Sequence, residues 1–165
     1  MDDALAVLLL PARLEGFEHE TQARGLLSIP RVIALEPARV RTPRFLREGA
    51  VARQAARIRL PGELRALVLY HPAQYPLARA LLGRHERAEL WYVAAGGGTL
   101  KDEELESFDR LARERAAGLL AATARIDDGP LRLRLQELEV ISRRPFVPAA
   151  RFAGMLTPKG PRGRG

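Results

Sequence analysis

The chain has 165 residues, with 27 Lys+Arg against 20 Asp+Glu and a formal charge of +7 at neutral pH. It has no cysteine, which excludes a disulfide scaffold, a cysteine-ligated zinc or iron–sulfur centre and a thiol nucleophile. At 47% hydrophobic and 28% charged residues, the body is expected to fold around a core rather than stay disordered or enter a membrane.

The first apolar run, Ala4–Leu10, is too short to span a bilayer and has no basic residues before it. It reads as a buried strand, with neither a transmembrane helix nor a signal peptide, and a cytoplasmic location is expected by default. Glu18–Ser28 follows as a short helix, polar on one side. Val32–Leu35 is the second strand. Phe45–Arg59 is a helix that places Leu46, Ala50 with Val51, and Ile58 near one face. Ala66–Tyr70 is the third strand and Pro76–Arg84 the third helix, striped by Leu77, Ala80 and Leu81. Glu89–Ala94 is the fourth strand. Asp102–Ala117 is a helix with Leu105, Phe108, Ala112 and Ala116 at steps of three and four. Gly118–Thr123 is the fifth strand. Leu131–Leu138 reads as a weaker helix, because Leu131, Leu133 and Leu135 also alternate as a strand would. Glu139–Ser142 is a weak sixth strand.

The apolar runs are continuous rather than alternating, as in strands covered on both faces. Strands alternating with helices imply parallel βαβ units with right-handed crossovers. The expected fold is α/β, a three-layer Rossmann-like open, mostly parallel sheet of five or six strands. One domain is expected over 1–152, followed by a basic Gly/Pro/Arg-rich tail, 153–165, of low complexity and expected to be disordered.

The positive charge is concentrated at this end. Residues 1–140 sum to +1, whereas 141–165 hold Arg143, Arg144, Arg151, Lys159, Arg162 and Arg164 with no acid. Nucleic-acid binding is therefore expected, if anywhere, only through the tail.

In open parallel sheets, ligands collect beyond the carboxyl ends of the strands, where the strand order switches. His71 follows the third strand in a loop with Pro72, Gln74 and Tyr75, and is the candidate catalytic residue. A neutral imidazole there could take a proton from a substrate hydroxyl or orient a sugar or phosphate. A histidine bonded to nearby backbone is the simpler alternative. Gly96-Gly97-Gly98 could approach a phosphate, but it lacks Gly-x-Gly-x-x-Gly spacing and Asp102, Glu103 and Glu104 follow. A connector is the better reading. Asp127-Asp128-Gly129-Pro130 reads as a turn, Trp91 as core, and the charges of Asp102–Ala117 as a solvated face. His19, His71 and His85 show no metal-ligand spacing, so no metal site is expected. Ser28, Ser107 and Ser142 lie outside any Gly-x-Ser-x-Gly, which argues against a hydrolase.

Four stretches resemble the N-terminal, acceptor-side domain of two-domain (GT-B) glycosyltransferases of the family 4 type, over about 150 residues. They are Gly16–Leu27, with Gln22 ahead of an apolar pair; Leu67–Ala78, with His71-Pro72 after a strand; Phe108–Ala124; and Arg144–Phe152. The last departs from the family's crossover pattern, with Phe146 and Ala149 where Gly and Asp would stand. The resemblance implies a glycosyltransferase-like half domain that binds a sugar or lipid acceptor. It further implies that a nucleotide sugar is bound only if a second domain is supplied by a partner subunit; apolar surface left open without that domain makes self-association into a homo-oligomer a separate expectation. The substrate-binding candidates are Glu15, Gly16, Gln74 and Tyr75. The alternative is a non-catalytic interaction module whose Arg-rich C-terminal tail contacts an acidic partner or RNA.

Overall fold

Strands β1 (Ala6–Leu9), β2 (Val32–Leu35), β3 (Ala66–Leu69), β4 (Glu89–Ala95) and β5 (Gly118–Ala122) form one sheet in the order β2-β1-β3-β4-β5. Every neighbouring pair is parallel. The computed structural model describes residues 5–10, 19–37, 44–60, 64–95, 102–122 and 126–142. Helices α1 (Glu20–Leu27), α2 (Arg44–Arg57), α3 (Tyr75–Arg84), α4 (Glu103–Arg115) and α5 (Gly129–Ser142) alternate with the strands, and a 3-10 turn, Pro72–Gln74, precedes α3. The chain is thus α/β, with an all-parallel sheet between two helical layers.

The strand order explains the layering. The chain moves from β1 outward to β2, then crosses back to β3 and continues the other way. Right-handed crossovers in opposite directions must lie on opposite faces. One face is covered by α1 and α5. There Ala23 and Leu26 of α1 and Leu131, Leu135 and Leu138 of α5 pack on Leu8, Val68, Trp91, Val93 and Leu120. The other is covered by α2, α3 and α4, with Ala55, Ala78, Leu81 and Ala112 over Val7, Leu9, Leu67, Leu69 and Tyr92. Adjacent residues of one strand therefore enter different cores, which is why β1 and β3 are apolar at every position. The outermost strand β2 shows the contrast, burying Val32 while Ile33 and Ala34 are exposed.

Two local expectations are corrected. Glu139–Ser142 is not a strand but the last turn of α5. Leu131, Leu135 and Leu138 recur at helical spacing and are buried, while Leu133, which suggested alternation, is 60% exposed. Of the face expected for α2, Leu46 is exposed, whereas Val51, and Ile58 just beyond the helix, pack against the core that buried Ala55 shares with α3. The acids expected at the start of α4 are present, and its N-cap is Asp102, whose carboxylate accepts from Glu104 N–H at 2.9 Å. Arg84 of α3 donates to the Ala55 and Ile58 carbonyls and so closes the C-terminal end of α2. The 153–165 tail lies outside the described residues.

Candidate functional site

The order reverses between β1 and β3, so the carboxyl ends of these two strands form the switch point. Directly beyond β3 stand Tyr70 and His71, and beyond β1 stands Leu10. The strands below are wholly apolar, yet their ends carry a connected polar cluster.

Tyr70 is buried at the end of β3 and donates its hydroxyl to Gln22 Oε1 of α1 at 2.6 Å. Gln22 Nε2 reaches Asp128 Oδ2 at 3.5 Å, ahead of α5, and Asp128 Oδ1 pairs with Arg132 Nε at 3.0 Å. The His19 ring stacks beside Tyr70, with centroids 6.2 Å apart and planes at 29°. One phenol thus ties the β3 end to both helices of its face. Burial chiefly, and the Asp128 carboxylate secondarily, push the Tyr70 phenol well above its ordinary range, against the opposing bond from Gln22. The hydroxyl is a proton-bearing donor throughout the neutral range.

His71 is exposed, and its Nδ1 accepts the backbone N–H of Ala73 at 3.1 Å, capping the 3-10 turn. Partial burial lowers its pKa, so the ring is neutral at pH 7. With Nδ1 accepting, the neutral ring carries its proton on Nε2 and presents a donor. The same imidazole can act as a general base only by giving up its bond to Ala73.

Gln74 lies on the far side of this turn. Its Nε2 spans the seam between the central strands to donate to the Leu10 carbonyl at 3.4 Å. Its Oε1 is buried and accepts no hydrogen bond among the described residues. Tyr75, the next residue, turns away into the α3–α4 core and packs against Phe108, with ring centroids 6.4 Å apart. The turn therefore brings His71 and Gln74 to the edge of the sheet and puts Tyr75 inside. Glu15 and Gly16 lie outside the described residues, as does the Gly96–Gly98 loop.

The residues that sequence reasoning passed over are Tyr70, His19 and Asp128. A tyrosine closing an otherwise aliphatic strand at its carboxyl end was the available signal for the first. Asp127 and Asp128 do form the expected turn, since Asp127 Oδ1 accepts from Gly129 N–H at 3.0 Å. Asp128 additionally faces Gln22. Trp91 is buried as expected, with Nε1 3.5 Å from Glu89. The salt-bridged face of α4 is present in the Arg113–Asp109 pair at 2.8 Å.

Among the described residues, no group of three His, Asp or Glu side chains could hold a metal ion, and no helix is long and apolar enough to cross a membrane. In comparison with known proteins, no family model, curated protein or solved structure matches the chain.

Proposed function

We propose that this domain is the acceptor-side half of a glycosyltransferase-like assembly. It binds a sugar-bearing or lipid-linked acceptor at the switch point, and a nucleotide sugar joins only through a domain supplied by a partner. The observation that carries the reading is Gln74 Oε1, a buried acceptor atom without a partner among the described residues, held at the seam of β1 and β3. A buried carbonyl oxygen left unpaired costs on the order of 1–3 kcal/mol. A ligand hydroxyl that displaces the residues covering the atom and donates to it recovers that cost, as would an N–H donor. The His71 Nε2–H adds a donor at the same edge. Together they supply one acceptor and one donor, the pair that orients a hydroxyl group. In this reading His71 holds and orients the acceptor oxygen. The sequence resemblance to glycosyltransferase N-terminal domains supplies the reaction class.

The test is thermal stabilisation by mono- and disaccharides, their lipid-linked forms, free nucleotide sugars and short RNA, for the wild type and for Gln74→Ala. A ligand that binds only the folded state raises the melting temperature according to its affinity. The expected result is a shift with a sugar acceptor that disappears in Gln74→Ala, and no shift with a nucleotide sugar alone. Absence of any sugar response, or a response that Gln74→Ala leaves intact, rules the reading out. A response to RNA alone favours the interaction module.

A further inference from the structure

Helices α2, α3 and α4 lie side by side on one face of the sheet and run against the strands, so all three end at the sheet's amino edge. Backbone contacts hold these ends level. Arg84, in the last turn of α3, donates to the Ala55 and Ile58 carbonyls at the end of α2. Ala117, just beyond α4, donates to the Leu90 carbonyl at the start of β4 at 2.8 Å.

Arginines collect along this edge. Arg53 and Arg57 stand in the last turns of α2 with Arg59 just beyond, Arg87 follows α3, and Arg115 ends α4. All five are exposed, and none has a hydrogen-bond or ion-pair partner among the described residues. The neighbouring acids are Glu86 and Glu114; Glu63 lies outside the described residues. His85 is lowered by burial and then by Arg84, so its ring is neutral at pH 7 and adds no charge. The helix macrodipole accounts for a cation in a last turn, but Arg59 and Arg87 stand outside their helices. At the other end of the same layer, Arg47 and Arg79 are matched by Glu104 and Glu48. The near-neutral sum over residues 1–140 therefore conceals an uncompensated basic row.

We infer that this row docks the phosphate backbone of a duplex nucleic acid without regard to base sequence. Guanidinium groups donate in pairs to phosphate oxygens. Three neighbouring helices at 8–10 Å apart set the row about 20 Å long, a line of charge that matches a linear polyanion. No tyrosine, tryptophan or phenylalanine side chain is exposed among the described ones, so the row offers no platform for stacking the bases of a single strand. A flat anionic membrane fits less well. The same end of the molecule carries Glu137 and Glu139 on α5 across the sheet, below the Arg134–Glu89 pair, and a plane would meet both edges at once. The switch point lies at the opposite end of the strands, so this surface is independent of the proposed acceptor site.

The experiment is fluorescence anisotropy of the full chain with labelled DNA and RNA, duplex and single-stranded, about 20 nucleotides long, from about 50 to 200 mM salt, beside sedimentation with phosphatidylserine vesicles. One variant joins Arg53→Gln, Arg57→Gln and Arg87→Gln; a second places Lys at the same positions; a third places Gln at Arg151, Lys159, Arg162 and Arg164 of the tail. Each is checked for native circular dichroism. Duplexes of unrelated sequence are expected to bind alike. The triple Gln variant is expected to weaken binding at least about tenfold at low salt and to flatten the salt slope by about 2–3, whereas the Lys variant keeps both. The same three Gln substitutions are expected to act equally in the tail-neutralised chain, which separates the row from the tail. No duplex binding at about 50 mM salt, a triple Gln variant that binds as the wild type does, single strands bound more tightly than duplexes, or vesicles bound in place of duplexes overturns the inference.

Discussion

The indole of Trp91 lies over Gly118, filling the place a side chain there would take. A Cβ on residue 118 would stand 2.2 Å from Trp91 Cζ3 and 2.5 Å from Cε3. The two residues are register partners on β4 and β5, so neither backbone can retreat without breaking the ladder. Gly118→Ala therefore forces the buried indole to move, an overpacking that typically costs about 1–3 kcal/mol. Urea denaturation checks this. Trp91→Leu makes room, so the double variant is expected to lose less than the sum of the two single losses.

Why the strands were legible in the sequence and α5 was not follows from what each buries. Runs such as Ala66–Leu69 are buried on both faces, and only a continuous apolar run satisfies that. Helix α5 buries Leu131, Leu135 and Leu138, yet leaves Leu133, Val140 and Ile141 exposed. Those three blur the helical stripe, and Val140 and Ile141 favour a strand by local propensity. The site was legible in part for a similar reason. His71 and Gln74 advertise themselves as polar residues after a strand, whereas Asp128 looks like ordinary turn chemistry until α5 sets it opposite Gln22. Tyr75, a substrate-binding candidate from its place beside His71 and Gln74, has its ring in the α3–α4 packing.

Tyr70 and Tyr92 should make the protein sensitive to alkali. Tyr92 is fully buried and donates to Asp109 at 2.6 Å; burial first, then this carboxylate, raise its phenol well above the ordinary value of 10.0. Tyr70 is raised chiefly by burial. In both, the folded state holds the proton more tightly than the unfolded chain. Their contribution is complete below pH 10.0 and is lost as pH climbs through and beyond it. The slope is at most about 1.4 kcal/mol per pH unit for each tyrosine. Denaturation midpoints between about pH 8 and 11 test this, and Tyr70→Phe and Tyr92→Phe are each expected to flatten the fall.

Glu89 at the start of β4 contributes to the opposite limb. Arg134 of α5 grips it, with Nε 3.1 Å from each carboxylate oxygen. The bond from Arg134 is the main reason its carboxyl titrates below the ordinary 4.5, against the opposing effect of burial. A lowered carboxylate stabilises the fold above its unfolded value, and that support fades as pH falls through 4.5 toward the folded value. Glu89→Gln is expected to cost about 1 kcal/mol at neutral pH and to remove this part of the acid loss. Raising salt should narrow the difference between variant and wild type, because both partners are partly exposed. A variant with unchanged acid sensitivity would place the titrating group elsewhere.

His71 has two separable tasks, and two substitutions distinguish them. As a cap, it needs only an acceptor for Ala73 N–H, which the Asn side chain also provides. His71→Ala is expected to cost about 0.5–1 kcal/mol and His71→Asn close to nothing. Its pKa is lowered by burial, so the cap's support is complete at neutral pH and declines as pH falls below the ordinary 6.5, where the unfolded chain takes up a proton first. His71→Asn should lose that dependence. As a ligand donor, His71 must offer Nε2–H at a reach the shorter asparagine cannot match while its own oxygen caps the turn. If the ring orients a bound hydroxyl, His71→Asn stays as stable as the wild type and loses sugar-dependent stabilisation. If the ring only caps, His71→Asn keeps that stabilisation in full, and the donor role belongs to another residue.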